Sequence, residues 1–118
     1  MCKEQQLQAI CTEWKRLAEA EGDAIRSGNW AFLSDCQAAI SRLPARLDPL
    51  LVHARTVWDR ENQQALNEVL RHLKEAQSRN VALLTERRSR LHLQKQTLES
   101  RRRTLQVLRK YHSTAAQR

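Results

Sequence analysis

Four histidines and three cysteines are the residues of this chain best suited to metal or nucleophilic chemistry. His53, His72, His92 and His112 lie about 20 residues apart. Structural zinc wants ligands in close pairs, such as C-x-x-C or H-x-x-x-H. The histidines offer no such pair, and Cys2, Cys11 and Cys36 contain no C-x-x-C. An odd, dispersed set of three cysteines is read as reduced thiols, as expected in a cytoplasmic protein. Cys11 and Cys36 are expected as small core residues facing each other across a helical hairpin. Glu19, Glu21 and Asp23 fall on what reads as a solvated helix face, with no acid and base set against each other. G-x-S-x-G and H-E-x-x-H are absent, and two glycines in 118 residues leave no loop to cradle a phosphate. The residues therefore point away from an enzyme. No catalytic residue, cofactor or metal is expected.

The other chemistry available is charge. The net charge is +8, and it is unevenly placed. Residues 1–84 carry 11 Lys/Arg and 11 Asp/Glu, whereas residues 85–118 carry ten Lys/Arg against two Glu. The stretch RLHLQKQTLESRRRTLQVLRKY (90–111) also holds Leu91, Leu98 and Leu105, seven residues apart. Arg87, Arg88, Arg90, Lys95, Arg101, Arg102, Arg103, Arg109 and Lys110 offer contacts to phosphates. Only Tyr111 is available there for base stacking, so nucleic acid is the weaker reading. A plain solvated basic face is the bland reading, but it has no need of a leucine stripe. The leucine spacing favours a helix-in-groove or coiled-coil contact with protein.

These residues need helices to position them. So little Gly and Pro in a chain rich in helix formers argues for a single all-α domain, residues 1–118. Helix 1 is expected over about 3–26. Leu7, Ile10, Trp14, Leu17 and Ala24 form its inner stripe, widened by Cys11, Ala18 and Ile25. Gly28 suits a left-handed C-terminal cap, and Asn29 caps a second helix over about 30–43. Pro44 is expected to break or kink the chain. Asp48-Pro49 reads as an N-cap followed by proline at the first helical position. A third helix is then expected over about 49–111, with Gln77–Asn80 its weakest point and 112–118 a fraying tail. Trp14, Trp30 and Trp58 are expected to pack together. The reading is a three-helix antiparallel coiled-coil bundle with a long C-terminal helix. The second half of that helix would lack an intramolecular partner, and such a helix is marginal alone. No apolar run is long enough to span a bilayer, and the first 30 residues do not read as a signal peptide.

Two stretches carry a family resemblance. SGNWAFLSDCQAAISRL (27–43) resembles the helix 1–2 junction of flagellar type III export chaperones of the FlgN and FliT type. LKEAQSRNVALLTERRSRL (73–91) resembles the FlgN signature in the long third helix, where an Arg-Asn pair (Arg79, Asn80) precedes two leucines (Leu83, Leu84). Tyr111 agrees with a tyrosine near the end of that family. The Gly that often follows it there is missing here. The resemblance implies a small cytoplasmic chaperone without enzymatic activity. Such proteins hold hook-associated subunits and bring them to the export apparatus. It also implies that the C-terminal part of the long helix takes the client's amphipathic helix, on Leu84, Leu91, Leu98, Leu105 and Leu108, with Arg87 and Arg102 beside them. Self-association into a homodimer through the same strip is a further expectation. The alternatives are a structural or adaptor coiled coil of another assembly and, behind it, a basic helical nucleic-acid-binding protein.

Overall fold

The computed structural model describes residues 2–116, with side chains through His112. It is all-α, with α1 (Lys3–Ser27), α2 (Trp30–Ser41), α3 (Leu43–Val57) and α4 (Arg60–Ala116). Only Arg42, itself in a right-handed helical conformation, separates α2 from α3. Both helices pack on α1 and act as one interrupted helix. With α4 this gives the expected three-helix bundle with a long C-terminal helix. The chain divides into two compact units, one up to Leu84 and one from Thr85.

The first unit holds the core. Leu7, Ile10, Cys11 and Leu17 of α1 bury against Leu43, Leu47 and Ala54 of α3 and Leu66 and Leu73 of α4. A second cluster joins Ala24 and Ile25 of α1 to Leu33 of α2, with Leu83 and Leu84 of α4 packed on it. The α1 stripe is the one expected from its spacing. Its end is also as expected: Gly28 sits at φ 71°, ψ 22°, and the Asn29 side chain accepts from the Phe32 N–H at 3.2 Å. A positive φ costs glycine nothing and other residues about 1 kcal/mol or more.

The third helix does not begin at Asp48-Pro49. Pro44 lies in the first turn of α3, where its missing N–H is no loss, and Pro49 lies inside the helix. An interior proline costs about 3 kcal/mol. Leu43 and Leu47, both buried, return about 1.5–3 kcal/mol each. Packing therefore outweighs the break, and the chain turns later, at Trp58-Asp59. There Trp58 is extended, and its N–H reaches the Ala54 carbonyl at 2.9 Å. Asp59 caps α4, accepting from the Asn62 N–H at 2.9 Å. The Gln63 side chain donates to the carbonyls of Arg55 and Trp58, at 3.2 and 2.8 Å. Side-chain hydrogen bonds thus make a tight turn with neither Gly nor Pro. Residues Gln77–Asn80, the expected weak point, are helical.

Two other expectations change. Trp14 and Trp58 pack on the main core cluster, but Trp30 opens α2 at 41% exposure and stays outside it. Glu21, expected in solvent, is 6% exposed.

Candidate functional site

Glu21 is buried because α4 supplies it with a partner. The Asn80 amide donates from Nδ2 to the Ala18 carbonyl at 2.8 Å and to Glu21 Oε1 at 2.9 Å. Asn80 is 8% exposed. Gly22 completes the contact, since a Cβ there would stand 3.0 Å from Asn80 Oδ1. A mid-helix glycine costs about 1 kcal/mol against alanine, and here that cost admits the Asn80 side chain. A buried carboxylate needs such a donor. This polar node fixes how α4 lies along α1 within the first unit. Its sequence signal was Gly22 itself, one of two glycines and inside a strong helical stripe.

Open grooves follow the same α1–α4 seam. One, about 590 Å³, is lined by Cys11, Lys15, Val69, His72, Leu73 and Ala76, among others. Its walls carry charges of both signs. Burial pushes the Cys11 thiol up, and Cys36 likewise. Thiols shifted that way are poor nucleophiles. No three His, Cys, Asp or Glu among the described residues stand together as a metal site.

The sequence-predicted binding residues divide between the units. Leu84 is half-buried against the Ala24, Ile25 and Leu33 cluster. It belongs to the packing of the first unit and stands apart from the open strip. Arg87, just beyond, is half-buried. Leu91, Leu98, Leu105 and Leu108 are 43, 53, 52 and 56% exposed, and Arg102 is exposed as well. None of these four leucines belongs to a core cluster. Seven-residue spacing keeps Leu91, Leu98 and Leu105 on one face of α4, with Leu108 one turn beyond Leu105. Leu93, Val107 and Tyr111 are also exposed, at wider angles around the helix. The apolar strip therefore runs from Leu91 to Leu108. Arg90 is paired with Glu86 at 2.6 Å across one turn.

Among the described residues no helix is long and apolar enough to cross a membrane. In comparisons with known protein families, curated proteins and solved structures, the chain matches none.

Proposed function

We propose that this chain is a cytoplasmic chaperone of the FlgN/FliT kind, which holds an exported hook-associated protein through the C-terminal half of α4. The observation that carries the reading is the exposed strip Leu91, Leu98, Leu105 and Leu108 on a helix whose earlier leucines, Leu66 and Leu73, are buried. Exposed leucines aligned on one helix face mark an interaction site. Each leucine releases about 1.5–3 kcal/mol when fully covered. Ordering a disordered client offsets a good part of that, which suits reversible holding. The resemblance of residues 27–43 and 73–91 supplies the flagellar part of the reading. The seven-residue leucine phase favours one rival, a structural coiled coil that is permanently assembled.

The test is direct. The purified chain is mixed with the terminal helical segments of the hook-associated subunits of its own source organism. One of them should form a 1:1 complex that Leu98→Ser with Leu105→Ser abolishes while the melting temperature stays within a few degrees. Failure of every subunit to bind overturns the flagellar reading. A stable oligomer at all accessible concentrations favours the structural one.

A further inference from the structure

Resting on the protein-binding reading of α4, we infer the chemistry of its partner: an acidic amphipathic helix whose carboxylates recur every seven residues. The leucines are not alone in their phase. Arg88, Lys95, Arg102 and Arg109 also lie seven apart, each three residues before or four after a leucine of the strip. At these spacings side chains are neighbours on a helix surface. One flank of the leucine ladder is therefore a ladder of cations, one every ~10.5 Å along the helix. All four are exposed, and none forms an ion pair among the described residues, unlike Arg90 with Glu86. The other flank, Arg90, Thr97, Thr104 and Tyr111, holds no acid. The two acids of the C-terminal unit, Glu86 and Glu99, lie off both flanks.

This pattern argues against a second copy as occupant. With Leu91, Leu98 and Leu105 as the inner seam, the next inner positions are Arg87, Gln94, Arg101 and Leu108. Any helix docked on this seam meets Gln94 and Arg101, so the flanks decide between partners. In an antiparallel pair the cation ladders would face each other. In a parallel pair each would face Arg90, Thr97, Thr104 and Tyr111, which offer no carboxylate. Like charges in register suppress a wrong partner, and a complementary ladder selects the right one. A helix with apolar residues in step with the leucines and Glu or Asp on one flank satisfies both.

Two synthetic peptides test this on the full chain. Both carry leucine every seven residues; one has Glu and the other Gln along the flank. The Glu peptide should bind on the order of 10-fold more tightly by fluorescence anisotropy at low salt, from several exposed pairs acting together. The advantage should shrink as salt rises. Replacing Arg88, Lys95, Arg102 and Arg109 with Glu should transfer the preference to a Lys-flanked peptide, with circular dichroism confirming that the helix persists. The milder pair Arg102→Gln and Arg109→Gln should lose part of the preference without that risk. Equal binding of Glu and Gln peptides, both lost in Leu98→Ser/Leu105→Ser, overturns the acidic partner and leaves the protein-binding reading standing. Binding of neither peptide, with a stable dimer by sedimentation, overturns both. Tight binding of duplex DNA that survives the leucine substitutions makes the ladder a phosphate contact and overturns the inference.

Discussion

One helix, α4, contributes leucines to both units, and the two sets fare differently. Up to Leu84 they are buried or half-buried among Leu7, Leu43, Leu47 and Ile25, in a unit whose formal charges cancel. From Leu91 on they are about half exposed, among residues that carry the whole net charge. One phase continues through both, whereas the phase of buried Leu66 and Leu73 passes to Asn80, Arg87, Gln94 and Arg101. Leu70, Leu84, Leu91, Leu98 and Leu105 share one seven-residue phase, with Gln77 in the same phase between the first two. A hydrophobic repeat thus says which face of a helix wants cover, and only the neighbouring elements say whether it has any. Here the exposed leucines and the net positive charge fall in the same unit.

The largest expected effect lies in the first unit. Leu7→Ala, at a fully buried position, should cost about 2–5 kcal/mol in denaturant unfolding. Leu98→Ser and Leu105→Ser should each stay within about 0.5 kcal/mol of the parent, as exposed substitutions do. Similar losses at both places would erase the contrast between the units.

The polar node comes next. Asn80→Ala strips a donor from a buried carboxylate and should cost about 2–3 kcal/mol. Gly22→Ala should destabilise the parent, because Asn80 is held by two hydrogen bonds and cannot readily yield to a Cβ at 3.0 Å. In the Asn80→Ala background the same change should instead stabilise, by up to about 1 kcal/mol of helix propensity. That change of sign, read in a double-mutant cycle, distinguishes close approach from a merely permissive glycine.

A smaller effect locates the turn into α4. Asp59→Ala removes an N-cap and should cost about 1 kcal/mol, whereas Asp48→Ala, exposed within α3, should cost less than half of that. The smallest effect is kinetic. At neutral pH a thiol reagent should modify exposed Cys2 quickly and buried Cys11 and Cys36 only slowly, since burial holds their thiols protonated. Raising the pH should speed the modification of Cys11 and Cys36 only above the usual thiol range.

Much of this architecture was legible in the sequence. The α1 stripe, the Gly28-Asn29 turn and the in-phase leucines follow from spacing and cap chemistry alone. The start of α4 was not legible. Asp48-Pro49 read as a helix start, and tertiary burial of Leu43 and Leu47 overrode it. The real turn is made by the side chains of Asp59 and Gln63, which as residue types occur anywhere in helices. Glu21 looked like any solvated carboxylate until Asn80, 59 residues on, was placed beside it. Of the candidate site, the leucines from Leu91 to Leu108 and Arg102 lie on exposed surface. Leu84 shares their phase but is half-buried, because period alone does not reveal that the Ala24, Ile25 and Leu33 cluster packs against it.

The most direct measurement is hydrogen exchange along α4 in the free protein. Strong protection from Leu66 through Asn80, with fast exchange beyond Arg87, is the result expected of a stable bundle with an open docking strip. Uniform protection as far as Tyr111 would contradict it, because the leucine strip would then already be covered.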